Sequence, residues 1–484
     1  MTIREFIQAK SNGCYTEITE MPHEEGGFGR LYRAIDRNHH DSEVCIKVIK
    51  ANLSKDLQIK LWHGEVNALK QYRNRSGIVH LVGDQYHFDR DDPYHFIVME
   101  YVHGKRLGSS KYRIELDVQE DQALRLIFQL CSVIYSIHQR GNYHQDIFPD
   151  NIKIQDEKLI LLDLGGMREA ERRSGTIIFG GEMYSPPEVS PTRLRMKRFR
   201  TLRRDHMGSF ESADIFSLGA ILYELLMGTP FYDSIEQSNQ LKEYIYDYYS
   251  DRAVSKASSN ASEEYEPAIA LAHKHQQNFY TFLTHYQMPP ELCDQLKLTL
   301  SLYPHERPSI DTLLKHLLPY LFHRAMTLYR QKYWQEAIVW IQFPLEHFEE
   351  IQDEIADITS TTPDPETEDA DSLAEKMMQH LLAHLPVYIE LCLLHGMCLF
   401  QQGHFQAAQQ TFLKTKDLLT RYEYGCDDRQ WNTYLLKTAN NLAACYHKRH
   451  QNTEAMHLYK SLSTAQGIFG QIISRNVTVC TTDG

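Results

Sequence analysis

Two stretches decide the fold of this chain: YHQDIFPDNIKI at residues 143–154 and LILLDLGG at residues 159–166. They place Asp146 and Asn151 in an Asp–x4–Asn pair and put Asp163 directly after an apolar strand. A phosphoryl group in transfer is highly charged, so a protein that moves one needs oxygen ligands for Mg²⁺ and a further carboxylate to orient the attacking hydroxyl. The order and spacing of these three residues supply those groups.

Further motifs lie upstream, in the order that this chemistry requires. EEGGFGRLYRA at residues 24–34 is typical of a glycine-rich loop whose backbone N–H groups cover phosphates. VCIK at residues 44–47 predicts a strand that carries Lys47, a cation able to reach the α- and β-phosphates. The run at residues 61–83 predicts a helix and then a strand, and it supplies Glu65 as the acid that pairs with that lysine.

The motifs that follow complete the pattern. HFIVMEYVHG at residues 95–104 predicts an apolar strand that ends at Met99 and continues into a hinge. Three more motifs come later: YSPPE at 184–188, ADIFSLG at 213–219 and HERPSI at 305–310. Together these motifs resemble a eukaryotic-type (Hanks-type) protein kinase over roughly residues 15–320. The combined set is highly specific, whereas the glycine-rich loop alone would be weak.

The resemblance implies a bilobal protein-kinase fold of the α+β class. The N-lobe is expected over residues 1–102 and the C-lobe over residues 103–320. Glu188 is the acid of the segment before the substrate-docking region, and Arg307 is its usual partner. Asp214 is expected at the start of a buried helix that anchors the catalytic loop.

The resemblance also assigns roles at the site. Asp146, Lys47 and Glu65 are expected to be catalytic, and Asn151 and Asp163 are expected to bind the metal. ATP is the expected cofactor with Mg²⁺, or with Mn²⁺ as an alternative, and the hinge backbone is expected to bind adenine. The nucleotide-binding residues are expected to be Gly26, Gly27, Phe28, Gly29, Lys47, Glu100, Val102, Asn151 and Asp163.

Several positions depart from the family pattern. Glu24 replaces the first glycine of the loop, and a carboxylate there repels phosphates. Gln145 replaces an Arg that grips a phosphorylated activation loop, so the resemblance implies a kinase that such phosphorylation does not switch on. Phe148 and Gly181 replace the Lys and Thr of Ser/Thr kinases, and Leu164 turns DFG into DLG. The acceptor type therefore stays open.

Three functions remain compatible with these residues. The first is an ATP-dependent protein kinase, with Ser or Thr acceptors expected from family base rates alone. The second is a pseudokinase scaffold that binds nucleotide without transferring phosphate, which Glu24, Gln145 and Phe148 favour. The third keeps the fold and uses a non-protein acceptor or transfers a nucleotidyl group.

The C-terminal third, at residues 321–475, shows a helical pattern of small and bulky residues. It is carried by Leu328, Trp334, Ala337, Ile341, Gly396, Leu399, Gly403, Phe405, Ala408, Phe412, Ala443, Tyr446, Ala455 and Tyr459. These segments resemble tetratricopeptide repeats, although the units lie further apart than the usual repeat of about 34 residues. The resemblance implies an all-α helical-repeat module that binds a partner protein or peptide, or that regulates the kinase domain. A generic helical bundle is the alternative, and residues 476–484 are expected to form a tail.

Two charged stretches stand out. Residues 349–375 hold eleven acidic residues and no Lys or Arg, which predicts a solvated acidic loop. The alternative is an intramolecular pseudosubstrate or an acidic docking tail. Residues 193–204 hold seven basic residues of twelve, within a predicted insertion at residues 190–208. This basic insertion predicts either a solvated surface or docking of an anionic partner: an acidic substrate, nucleic acid, anionic lipid or the acidic loop itself.

Composition limits the class of protein. The chain has 484 residues, a net charge of −13 and 42% hydrophobic residues, so a globally basic nucleic-acid-binding protein is excluded. We find no apolar run of membrane-spanning length, no signal peptide and no myristoylation glycine. Nine scattered cysteines without a CxxC pair predict reduced thiols. The expected location is cytoplasmic, in a bacterium or in a host cell if the protein is secreted.

Overall fold

The computed structural model describes residues 1–21, 29–108, 114, 116–169, 183–188, 210–249, 261–360, 368–423 and 427–462. The chain divides into two compact units, Met1–Ile310 and Asp311–Gly484. Some sequence predictions concern residues outside the described ones, namely Glu24, Gly26, Gly27, Phe28, Gly181, the basic insertion at 190–208 and the tail at 476–484.

The first unit begins with a five-stranded antiparallel sheet of order β1-β2-β3-β5-β4. Its strands are β1 (Tyr15–Glu20), β2 (Gly29–Asp36), β3 (Ser42–Ile49), β4 (Leu81–His87) and β5 (Phe96–Glu100), and its helices are α1 (Ile3–Lys10) and α2 (Lys55–Gln71). Strand β3 alternates: Val44, Ile46 and Val48 are buried in the core of the sheet. Since side chains on a strand alternate between faces, Cys45 and Lys47 share the opposite face.

The rest of the first unit is mainly helical and carries two small sheets. Its helices are α3 (Glu120–Gln139), α4 (Phe210–Met227), α5 (Ile235–Tyr249), α6 (Ala261–His285) and α7 (Pro290–Leu298). One sheet pairs β6 (Lys105–Arg106) with β8 (Ile152–Gln155) and β9 (Lys158–Leu161), and the other pairs β7 (Asn142–Tyr143) with β10 (Arg168–Glu169). Helix α4 is buried along nearly its whole length, which explains why it is apolar on all sides. Two candidate site residues flank these strands: Asn151 directly precedes β8, and Asp163 lies two residues after the end of β9.

The second unit is all-helical in its described residues. Its helices are α8 (Ile310–Arg330, which starts one residue before the unit), α9 (Trp334–Ser360), α10 (Glu368–Gln401), α11 (Phe405–Arg421), α12 (Asp428–Lys448) and α13 (Asn452–Ser461). Each helix from α9 to α13 packs against the next one along the chain. Gly396 on α10 lies so close to α11 that a Cβ atom there would be 2.5 Å from the ring of Phe412. This close approach explains the glycine that the sequence pattern singled out.

The acidic stretch at residues 349–375 differs from its prediction as a loop. Helix α9 continues to Ser360 and α10 begins at Glu368, so helix covers all of the stretch except residues 361–367, which lie outside the described part of the chain. Ile351 and Ile355, one helical turn apart, are buried, and the acidic residues of α9 are exposed or half-buried. The burial of two apolar residues at helical spacing therefore favours a helix here, although the composition of the stretch is strongly acidic.

Helix α10 bears on the expectation that no apolar run spans a membrane. Its segment Asp371–Gln401 holds an 18-residue window with a mean hydropathy of 1.5 and is long and apolar enough to cross a membrane by length and composition. Scattered polar residues hid this run in the sequence. Since 56% of the apolar window is buried inside the structure, burial within a helical domain already accounts for its composition.

Three histidines are buried together in the second unit. His347 Nε2 on α9 lies 3.4 Å from His380 Nε2 on α10, and His380 Nδ1 lies 3.0 Å from Asp311 Oδ1 on α8. The His380 and His384 rings are 4.6 Å apart. Burial, reinforced by His380 and Lys315 and opposed by Asp311, lowers the pKa of His384 to about 4.

We expect acid to destabilise this unit through His384. Its pKa is lower in the folded state than the ordinary 6.5, so the unfolded chain binds the proton first and stability falls as pH drops from about 6.5 to about 4. The loss should reach about 2–3 kcal/mol, measured by urea unfolding at several pH values. In His384→Gln this pH dependence should shrink, whereas the matched variant of the exposed His323, His323→Gln, should keep it. An unchanged pH dependence in His384→Gln would contradict this assignment.

Candidate active site

Lys47 on β3 contacts carboxylates from two other parts of the first unit. Its ammonium lies 2.6 Å from Glu65 Oε1 on α2 and 2.9 Å from Asp163 Oδ2, just after β9. The Lys47 and Glu65 side chains are only 7% and 2% exposed. Glu65 reaches this position because α2 turns its buried face, with Leu61, Val66 and Leu69 in it, towards the sheet. The predicted partners are thus in contact.

Burial and the neighbouring charges shift the pKa values of Lys47, Glu65 and Asp163. Burial alone would lower the pKa of Lys47, but the carboxylates of Asp163 and Glu65 outweigh burial and raise it. Burial opposes ionisation of Asp163, yet Lys47 holds the pKa of Asp163 below its ordinary value. Burial raises the pKa of Glu65 to about 7, with Lys47 opposing that rise. At neutral pH the site therefore holds an ammonium beside an ionised Asp163.

Asp214 holds the backbone of the segment that contains Asp146. It is 1% exposed, and its two carboxylate oxygens accept the backbone N–H groups of His144 and Gln145, both at 2.7 Å. The ring of His138 lies 2.9 Å from the same carboxylate. A buried carboxylate that accepts several hydrogen bonds fixes the conformation of this loop.

Gln145 is turned inward from that loop. Its φ of 63° lies in the left-handed region, and its side-chain Nε2 donates to the Phe210 carbonyl at 2.7 Å. Its side chain is engaged by α4 and carries no charge. Whether activation-loop phosphorylation controls the protein stays a prediction, because residues 170–182 lie outside the described part of the chain.

Asn151 and Asp163 offer the oxygens for a metal ion. Asn151 Nδ2 donates to the backbone carbonyl of Asp146 at 3.0 Å and to its Oδ2 at 3.3 Å, which turns the amide oxygen of Asn151 the other way. Asp163 Oδ1 accepts the Gly165 N–H at 2.8 Å. Among the described residues no group of three or more His, Cys, Asp or Glu is placed to hold a metal. A site with two protein ligands suits Mg²⁺, which takes its remaining ligands from phosphates and water.

Three more predicted site residues lie among the described ones: Gly29, Glu100 and Val102. Gly29 opens β2 so close to Lys47 that a Cβ atom would lie 3.0 Å from its Cγ. Glu100 ends β5, and the buried Val102 follows it in the hinge. Further away, Arg307 forms a bidentate pair with Glu188 at 2.5 and 2.8 Å, which is the contact expected from the sequence.

Comparison with known families agrees with this geometry. The family model for the protein kinase domain matches residues 24–320, which is more than half of the chain. The chain belongs to the protein kinase family. The match includes the glycine-rich segment, the Lys47–Glu65 pair and the catalytic loop, and it ends within α8.

Several curated protein kinases are similar to parts of this chain. A Wee1-like protein kinase of Oryza sativa subsp. japonica is 36% identical over 122 residues, which are 25% of this chain and 21% of the relative. CBL-interacting protein kinase 12 of the same plant is 31% identical over 216 residues, 43% of this chain and 36% of the relative. Serine/threonine-protein kinase PknB of Mycobacterium leprae (strain TN) is 28% identical over 211 residues, 42% and 31% of the two chains. The matched part of the chain covers between 14% and 56% of the length of the curated relatives compared.

For two residues of this protein kinase domain the structure adds information that the sequence does not carry. Phe148, which replaces a lysine of Ser/Thr kinases, is 5% exposed and therefore buried. Lys153, which the sequence analysis did not single out, is 7% exposed, and its ammonium donates to the Val102 carbonyl at 3.0 Å. The one signal in the sequence was a lysine between the apolar residues Ile152 and Ile154.

Proposed function

We propose that this chain is an ATP-dependent protein kinase that transfers the γ-phosphoryl group to a protein hydroxyl. The observation that carries the proposal is the contact of the Lys47 ammonium with Glu65 at 2.6 Å and Asp163 at 2.9 Å, a cation and carboxylates placed as phosphoryl transfer needs them. Ser or Thr is the proposed acceptor, supported by relatives that are described as serine/threonine-protein kinases.

Five residues have named tasks in the proposed reaction. Lys47, held by Glu65, binds the α- and β-phosphates, and Asn151 and Asp163 hold Mg²⁺. The metal, when bound, neutralises charge on the phosphates as the bond to the leaving group breaks. Asp146 accepts the hydrogen bond of the acceptor hydroxyl and orients it for in-line attack. Asn151 holds Asp146 in place through the contact at 3.3 Å.

The second candidate is a scaffold that binds nucleotide without transferring phosphate. Phe148 favours it, because this buried ring offers no cation to the transferring phosphate. The loss of one such charge costs about a hundredfold or more in rate. Both candidates bind ATP, so a measurement of transfer is needed to choose between them.

The experiment measures transfer from γ-labelled ATP and Mg²⁺ to a generic acceptor protein, with mass spectrometry of the product. The full-length chain should transfer label, and the modified side chain identifies Ser, Thr or Tyr. Asp146→Asn should keep ATP affinity and lose transfer by about a hundredfold or more, because the hydroxyl is no longer oriented. ATP binding without any transfer by the wild-type chain would support the scaffold instead.

For the second unit we propose a helical-repeat module that binds a partner protein or peptide. The successive packing of α9 to α13 and the close approach of Gly396 to Phe412 support it. So does the small apolar cluster of Ala443, Ala455 and Tyr459 between α12 and α13. We further propose an anionic partner for the basic residues at 193–204, of which seven in twelve are Lys or Arg, and a cytoplasmic location in a bacterium or in a host cell.

A further inference from the structure

Helix α1 packs against the sheet of the first unit through a buried aromatic ring. The Phe6 side chain is fully buried and belongs to the core cluster of that sheet. Its ring makes edge-to-face contacts with the rings of His87 and Tyr94, with centroids 5.4 Å apart in both pairs. It also lies 6.5 Å from the ring of Phe96, the first residue of β5. Helix α1 precedes residue 24, where the match to the protein kinase family model begins.

A second contact joins the end of α1 to the loop between β4 and β5. The ammonium of Lys10 lies 2.6 Å from Asp92 Oδ2 in that loop. His87 Nε2, from the last residue of β4, lies 2.6 Å from the same oxygen. The hydrogen bond from Lys10 holds the pKa of the Asp92 carboxyl below its ordinary value. The ionised Asp92 therefore ties α1 to the sheet.

Helix α2, which carries Glu65, binds the same two residues through their backbone carbonyls. Lys55, the first residue of α2, donates to the Asp92 carbonyl at 2.7 Å. The indole N–H of Trp62, one turn before Glu65, donates to the Phe96 carbonyl at 3.2 Å. Helix α1 thus contacts the side chains of Asp92 and Phe96, and α2 binds their carbonyls, so that each residue links the two helices directly.

The docking of α2 depends on such contacts more than on its own ion pair. Burial raises the pKa of Glu65 to about 7, with Lys47 opposing that rise, so the ionised carboxylate is costly at this position. A buried ion pair contributes little net stability, because desolvation of both charges offsets their attraction. Ser54, the N-cap of α2, makes no side-chain capping hydrogen bond that would fix the start of the helix.

We propose that α1 positions α2, and through it Glu65, for phosphoryl transfer, with Phe6 and Asp92 as the positioning residues. This inference rests on the proposed function and adds to it an element of the chain that the family match does not include. When the contacts of α1 are weakened, α2 samples positions in which Glu65 has left Lys47. The ammonium of Lys47 is then no longer held in place for the phosphates.

The test measures hydrogen exchange of the α2 amides, which reports local opening, and kcat per folded molecule in the full-length protein. Phe6→Leu keeps an apolar contact and removes the ring, and Asp92→Asn removes the charge that Lys10 binds. In both variants the α2 amides should exchange about fivefold faster and kcat should fall about threefold to fivefold. The amides of the buried helix α3 should keep their exchange rate.

Two further variants make the test specific. Lys10→Met should reproduce the effect of Asp92→Asn, and the double variant should show no additional loss, because both changes break one contact. Asp41→Asn makes the same change as Asp92→Asn at an exposed position of the turn between β2 and β3, and it should alter neither quantity.

Three outcomes would overturn the inference. Wild-type exchange of the α2 amides in Phe6→Leu and Asp92→Asn would show that α2 does not depend on α1. Equally faster exchange in α2 and α3 would show that α1 only stabilises the domain. Wild-type kcat in variants whose α2 amides exchange faster would show that Glu65 is positioned without α1. A wild-type chain that transfers no phosphate contradicts the proposed function instead, and exchange of the α2 amides then still decides whether α1 positions this helix.

Discussion

Asp163→Asn should lower phosphoryl transfer by about a thousandfold or more and leave the fold intact. The amide has the shape of the carboxylate but no charge, so it binds Mg²⁺ weakly and no longer balances the Lys47 ammonium, which lies 2.9 Å away. Transfer of labelled phosphate, read together with Mg²⁺-dependent ATP affinity, measures the effect. Both quantities should fall, unlike in Asp146→Asn, where only transfer falls.

The control for this variant is Asp294→Asn, a change of the same type at an exposed position of α7. It should leave transfer and ATP affinity as they are. Thermal unfolding of Asp163→Asn should stay close to that of the wild-type chain, because Lys47 keeps its contact with Glu65. Full transfer in a folded Asp163→Asn protein would remove Asp163 from the reaction and with it the proposed function.

Arg307→Met should destabilise the first unit by about 3–5 kcal/mol. The Arg307 and Glu188 side chains are 0% and 6% exposed, and the pair is bidentate. Removal of the arginine leaves a buried carboxylate without its partner, and it also removes the hydrogen bond to the Ser212 carbonyl at 3.0 Å. Urea unfolding, with the two units followed by separate probes, measures the change.

Two further variants make this prediction specific. The double variant Arg307→Met/Glu188→Met should regain part of the lost stability, because it leaves no charge buried. Arg125→Met breaks a pair whose acid, Glu157, is 50% exposed, and it should cost less than about 1 kcal/mol. Equal losses of stability in Arg307→Met and Arg125→Met would show that burial of the Arg307–Glu188 pair contributes nothing to the free energy of unfolding.

The contacts among the candidate site residues could be predicted because these residues belong to motifs with a fixed residue type and local spacing. Asp146, Asn151 and Asp163 lie on one loop and the strands beside it, so their separation in sequence nearly fixes their separation in space. The Lys47–Glu65 contact joins two elements, yet each lies in a motif that is recognisable by itself. The structure places these residues together, whereas their roles in the reaction remain to be tested.

What could not be predicted depends on packing between distant segments. The path of the Lys153 side chain is set by the hinge carbonyl of Val102, 51 positions earlier in the chain. The helical continuation of α9 depends on burial of Ile351 and Ile355 against other helices, and composition records only the acidic residues around them. A count of charged residues describes the face of a helix that is exposed to solvent and gives no information about its buried face.

The inward turn of Gln145 bears on how such an enzyme is controlled. Phosphorylation can shift a protein between two states only by as much as the phosphate binds one state better than the other. A neutral amide tied to the Phe210 carbonyl gives a phosphate no differential binding at this point of the loop. We therefore predict that phosphorylation does not switch the protein on through this position, so that the amount of protein and the access of its substrate would set its output.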